Sequence, residues 1–556
     1  MGEKFLCCGF CLLLIMPFAL HGQTTTPGTV LERNRQTQQI REEQERLRRL
    51  QEENERDVQP SITDQIPADT KELSGPSSVS FELKQINTTP SEILSRDEID
   101  EIVNPYVGTL VGFDKINEIV NQLNRLYKSK NYIAARAYLP PQKIKDGIVN
   151  LRLVEGQIGV FKIENNISTN RNYILDRLPL ASGDLVYAPE IEQKLGIFNR
   201  LNDIDLHAVL QPGEDFGTTD FVLKTLEPKR RGLTFYTDNA ATNDIGRQRF
   251  GANYIDRSFS KRRDQLTLGG YLSEGSRGLY GGYRFQFSNY GSRLIVNADY
   301  SEIDIVDGAL QDLNISGDSH NISVSLSQPY LTEGNKLLNF FIGANFKEST
   351  TDFSDVSLFN TEVNKISAGA DIQSNSLGSS WYGRLTLSSS QTSFGSTDGF
   401  LKLKGDFSYL KSFENELLLT VRAAGQIADA ELLPTFEQFQ IGGSATVRGY
   451  VEGLLIGDDG YYLSFEFSKR FPGSLSSFFG DNSRYFAFVD HGGVFPFKGD
   501  GQSIDSDDFL SSAGFGIDMV LSSYLSGRLV AGFPLVGRDD DRDGAQLHMY
   551  VQFNPF

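Results

Sequence analysis

From residue 230 to the C-terminus, apolar side chains recur at every second position, and this restricts the fold more than any other feature. In NISVSLSQ, Ile322, Val324 and Leu326 alternate with Ser323, Ser325 and Ser327; in YYLSFEFSK, Tyr461, Leu463, Phe465 and Phe467 alternate with Tyr462, Ser464, Glu466 and Ser468. In AGFGIDMVL, Ala513, Phe515, Ile517, Met519 and Leu521 face away from Gly514, Gly516 and Asp518. Successive side chains of a strand point to opposite faces, so each segment has one greasy face and one wet face. About sixteen such segments follow one another, each near the ~10 residues a tilted strand needs to cross a bilayer. A soluble β-sandwich would need a second sheet to cover every stripe, and would explain neither the strand number nor the sequence in front of it. Connections near 288–293, 373–380 and 521–527 are short, whereas 303–317, 348–360, 425–458 and 495–509 are longer. That asymmetry between periplasmic turns and external loops belongs to outer-membrane barrels. The prediction is a transmembrane β-barrel of about sixteen antiparallel strands over 230–556, with outer-membrane lipid around it and 425–458 as a long inward-folded loop.

The N-terminus reads as an export signal. Lys4 supplies the positive end, Phe5 to Leu20 the apolar run, and 1–22 is expected to be removed. Cys7, Cys8 and Cys11 all lie in it, so the exported chain has no thiol for a disulfide, a metal or catalysis. Beyond it no apolar run approaches the ~20 residues of a membrane helix, so any span must be a closed barrel that satisfies its own backbone. The net charge is −19, which argues against nucleic acid as a partner.

Between signal and barrel the chain changes character four times. Residues 23–30 are Gln-, Thr-, Pro- and Gly-rich and read as loose; residues 31–57 contain no Gly or Pro and read as a helix polar on nearly all sides. Such a helix is solvated, paired in a short coiled coil, or seated in a water-filled polar lumen. Residues 58–78, with Pro60, Pro67 and Pro76, read as a linker. Residues 79–158 predict a small α+β domain whose helix FDKINEIVNQLNRLYKSKNY carries Ile116, Ile119, Val120, Leu123, Leu126 and Tyr127 on one stripe. Residues 159–229 repeat the plan, with Ile191, Leu195, Phe198 and Leu201 in helical register.

Two short motifs stand out in the barrel: Val447, Arg448, Gly449 and Tyr450 in the longest loop, and FVDHG, Phe488 to Gly492, on a strand. By parity Tyr485, Ala487 and Val489 face lipid, so Phe488 and Asp490 face the lumen. A loop arginine and an inward carboxylate are natural partners in a narrow polar interior. With this layout the chain resembles the two-partner secretion transporters of the haemolysin-activator (ShlB/FhaC/HecB) type, in the superfamily of barrels preceded by POTRA domains. The resemblance covers nearly the whole exported chain. VRGY matches the family's inward-folded loop motif; Phe488, Asp490 and Gly492 match its F-x-D-x-G wall motif. Tyr132, Arg136, Leu139, Pro140, Gln142, Gly147 and LVEG at 153–156 give the first repeat the look of the family's POTRA domains.

The resemblance implies a salt bridge from Arg448 to Asp490, a plug helix over 31–57 that leaves the pore during work, and two POTRA domains that receive an unfolded exoprotein in extended form. That exoprotein would be of adhesin, cytolysin or toxin type, and the transporter a monomer. An assembly factor for other outer-membrane proteins is the alternative within the superfamily; a passive porin would leave the repeats and VRGY without a role.

Two features depart from the pattern. Phe556 has the opposite parity to Leu547, Met549, Val551 and Phe553, with Pro555 between. Asp539, Asp541, Asp543 and Gly544 resemble a calcium loop, but Tyr550 stands where its last acidic ligand should be, so no metal is predicted. His207, His320, His491 and His548 form no catalytic or metal spacing, and the Gly-rich stretches lack a P-loop lysine. Neither an enzyme nor a cofactor is expected.

Overall fold

The computed structural model describes residues 26–34, 62–64, 80–308, 310–331, 336–354, 356–430, 432–495, 503–536 and 544–555. The segment read as a signal peptide, residues 35–57 of the stretch read as a polar helix, most of the 58–78 stretch read as a linker, Phe556, Asp539, Asp541 and Asp543 lie outside them.

The first element is a helix, α1, over 27–34. Residues 27–30 read as loose in the sequence, yet they are helical. Thr26 caps them: the Thr29 amide donates to Thr26 Oγ1 at 3.2 Å and the Thr26 amide to Thr29 Oγ1 at 2.9 Å, with Pro27 at the first helical position. A second departure is β1, Ile62–Asp64, inside the stretch read as linker.

The front domains follow the repeat. The first consists of β2 (Phe81–Glu82), β3 (Gln85–Thr88), α2 (Arg96–Val103), β4 (Leu110–Val111), α3 (Phe113–Ser129), β5 (Arg136–Tyr138) and β6 (Ile148–Val154). Strand β6 lies between β3, which it parallels, and β5, which it opposes. Helix α3 buries Ile116, Ile119, Val120, Leu123 and Tyr127 against this sheet. The second consists of β7 (Gln157–Glu164), α4 (Arg171–Arg177), α5 (Ala188–Leu201), β8 (Asp205–Pro212) and β9 (Thr218–Leu226), and α5 buries Ile191, Leu195, Phe198 and Leu201. Here β9 lies between parallel β7 and antiparallel β8.

One polar device recurs in both domains. Asn124 of α3 donates to Ala137 O at 3.1 Å and accepts from the Ala137 amide at 2.7 Å. Asn199 of α5 donates to Leu206 O at 3.1 Å and accepts from the Leu206 amide at 2.8 Å. Each carboxamide thereby clasps one residue of the following strand to the helix. Asn124→Ala and Asn199→Ala are expected to lower local stability by about 1–3 kcal/mol, since both leave strand groups without a partner. Hydrogen exchange at Ala137 and Leu206 measures it; unchanged protection would mean the clasp is incidental.

Strand β1 pairs in parallel with β8, Ile62 opposite Ala208, and Ile62 packs on the second domain's core. Without β1, β8 would be the edge of that sheet. The second domain also grips the barrel's periplasmic rim: Arg263 bonds Asp203 at 2.7 Å and Ser168 at 3.2 Å.

Sixteen strands, from Arg231–Asp238 to Gln546–Phe553, close into an antiparallel barrel. The first and last pair through only four positions, Phe235↔Phe553 to Asp238↔Tyr550. The period of two sorts the side chains: Leu279, Ile322 and Phe346 are exposed on the outer face, while Asn321, Asn345 and Lys347 are buried on the inner one. The strand before the longest loop continues to Asp429, so the loop is 430–458 rather than 425–458. It turns into the lumen as a short hairpin, Phe439–Ile441 with Leu455–Gly457.

Candidate functional site

The lumen brings Arg448 and Asp490 together. Both are fully buried, and Arg448 Nε lies 2.8 Å from Asp490 Oδ2 while Nη2 lies 2.8 Å from Oδ1. The Arg448 amide donates to the same carboxylate at 3.1 Å. This two-pronged, charge-assisted geometry is what a guanidinium forms best. Phe488 lies flat beneath the guanidinium, its ring centre 3.6 Å away. The wall strand Arg484–Phe495 presents Phe488 and Asp490 inward because they are two residues apart, while Tyr485 and Val489 are exposed outside.

The rest of the tip is equally tied. Tyr450 donates its hydroxyl to Ser511 O at 2.8 Å and also meets Val536 O. Val447 is buried in a small apolar cluster with Ile441, Tyr462 and Val494. The tip lies flush with the wall: a Cβ on Gly532 would collide with Arg448 O, and one on Gly449 would stand 2.5 Å from Ser512 Cβ. Only glycine admits so close a backbone approach. Gly492 lets the wall pass beside Tyr462.

Several groups here carry no motif. Glu466 binds Arg448 from the adjacent strand and also Arg528, at 2.6 Å. Ser464 accepts from Arg448 at 3.1 Å. His548 of the last strand sits 2.8 Å from Arg448 O and 3.7 Å from Glu452. Inward parity is the one sequence signal for Glu466 and Ser464. His491 turns to the outer face, between Tyr461 and Ser511 and stacked on Phe509.

A second anchor holds the loop's base. Glu437 is buried among Lys347 at 3.0 Å, Lys365 at 2.6 Å and Lys402 at 2.5 Å, from three wall strands. Helix α1 lies against this base. Thr29, Val30 and Arg33 are buried, Glu32 bonds Lys347 at 3.1 Å, and Asn34 meets Arg249. Gly28 faces Phe436 so closely that a Cβ would meet the ring at 2.6 Å.

A polar barrel filled by a locked loop and a helix, behind two small α+β domains, defines an outer-membrane transporter of the POTRA-plus-barrel class. Residues 81–156 match the model of the POTRA domain, ShlB-type, and residues 217–519 that of the haemolysin secretion/activation protein ShlB/FhaC/HecB. The chain belongs to that family and is an outer-membrane transporter of two-partner secretion. The Heme/hemopexin transporter protein HuxB of Haemophilus influenzae is 23% identical over 477 residues, 82% of this chain and 83% of its own. The outer membrane transporter CdiB of Dickeya dadantii is 24% identical over 559 residues, 94% of this chain and 95% of its own. Among solved structures, CdiB from Escherichia coli superposes with a TM-score of 0.66 at 20% identity, over 96% of this chain and 99% of that one.

Proposed function

We propose that this monomeric transporter captures one large secreted protein, of adhesin, cytolysin or toxin type, in extended form on its front domains. It then passes that protein through the barrel as α1 vacates the lumen. The observation that carries this reading is the occupation of the lumen: beside a locked inward loop lies a short helix held by side-chain contacts, removable without breaking the barrel's backbone ladder. Arg448 and Asp490 pin the loop tip against the wall while the chain threads past.

The edge of β8 supports the capture step. It already accepts an extended segment of this chain as β1, which is strand addition in miniature. An exoprotein segment would use the same backbone groups and displace β1. Ile62→Lys, which weakens the packing of β1 on the second domain, is therefore expected to raise affinity for an extended partner segment severalfold by calorimetry. Unchanged affinity would place capture elsewhere.

The four-position seam between first and last strands favours a second reading, an assembly factor that opens sideways. Deleting the gene separates the two. Loss of one surface exoprotein with other barrels intact is expected; general loss of outer-membrane barrels would favour assembly.

A further inference from the structure

The plug and the loop share one cation. Lys347 bonds Glu32 of α1 at 3.1 Å, Glu437 of the loop at 3.0 Å and Phe436 O at 3.3 Å. Lys365 and Lys402 complete the cluster on Glu437, so among the described residues two carboxylates bond to these three ammonium groups at rest. When α1 leaves, Glu32 is withdrawn and Glu437 still bonds all three. Ammonium groups held so close repel one another, less once water enters the opened lumen, and losing one of two carboxylate partners is unfavourable. An arriving carboxylate would relieve this.

We propose that this lysine triad is a carboxylate-exchange site on the conduit wall. Glu32 holds it while the pore is shut. An acidic side chain of the transiting chain takes the place of Glu32, and Lys347 couples that exchange to the loop base through Glu437. Lys347 is thus a positioning residue whose bonds tie plug and loop together. The inference rests on the conduit reading, but its test needs no secreted partner and so can fail separately from that reading.

The exported chain has no cysteine, since Cys7, Cys8 and Cys11 fall in the signal peptide. A single Thr29→Cys therefore reports plug exit, because Thr29 is fully buried in the lumen. In the full exported chain in proteoliposomes, the rate of labelling by a water-soluble maleimide is measured. Glu32→Gln and Lys347→Met are each expected to raise it about tenfold, equivalent to about 1.4 kcal/mol. The double variant should label no faster than Lys347→Met alone, and Lys347→Arg should keep the parent rate. A glutamate decamer should accelerate labelling in the parent and not in Lys347→Met; a serine decamer should do neither. Should Lys347→Met not fold, as judged by heat-modifiability, Lys347→Gln takes its place. Additive effects in the double variant, acceleration that survives loss of the lysine, or a serine decamer as effective as glutamate would overturn the proposal.

Discussion

Replacing Arg448 by alanine is expected to leave a folded barrel and abolish export of the partner. The guanidinium makes its bonds to Asp490, Glu466 and Ser464 inside the lumen, away from the backbone ladder that closes the barrel. Truncation leaves the buried Asp490 carboxylate without its cation and Glu466 with Arg528 alone. Breaking a buried pair this way costs about 3–5 kcal/mol, which lowers the population of the locked loop a hundredfold or more. Arg448→Lys keeps the charge but not the fork, so it should restore export only in part. Two readouts separate loop from fold: heat-modifiability on a gel, expected to be retained, and exoprotein in the medium, expected to be lost. Full export by the alanine variant would remove the locked tip from the mechanism.

The second large effect concerns α1. Deleting residues 26–34 takes away the helix that Thr29, Val30 and Arg33 bury in the lumen. Conductance through the purified protein in planar bilayers should rise severalfold, because α1 occupies lumen space that water and ions would then enter. The deletion must begin at 26 rather than 31. A variant lacking only 31–57 would keep Thr26, Pro27 and the first turn, whose bonds to Thr435 and packing on Phe436 anchor the helix. Unchanged conductance after the full deletion would mean that α1 does not obstruct the pore.

The barrel was legible because lipid and water select opposite faces at every residue, so a pattern such as Ile322, Val324 and Leu326 against Ser323 and Ser325 admits no other register. The tandem domains were legible from two helical stripes at matching places. Arg448 and Asp490 were legible too, as two motifs and a parity argument, though their geometry needed coordinates.

The helix at 27–34 was not. Thr-Pro-Gly-Thr reads as loose, and its helical form depends on a cap at Thr26 and on Gly28 fitting under Phe436, a contact from more than 400 residues away (436 − 28 = 408). The Thr-Pro pair with Thr29 three positions on was a start signal that composition masked. Glu437 was invisible for a related reason. Nothing in its own neighbourhood marks it: its three lysines sit on near-neighbour wall strands, and only the inward fold of the long loop carries Glu437 to them. Strand β1 escaped notice because three residues between prolines carry no period, and pairing with β8 alone makes them a strand.

Whether the exported chain travels through the lumen is tested most directly by a pair of neighbouring residues. Ser325 points inward and Val324 outward on the same strand, Ile315–Leu331. A photoreactive amino acid at each position, in cells holding an exoprotein stalled by a folded tail, should crosslink to the exoprotein from 325 and to lipid alone from 324. Crosslinks to the exoprotein from 324, with none from 325, would place its path outside the barrel and contradict the account.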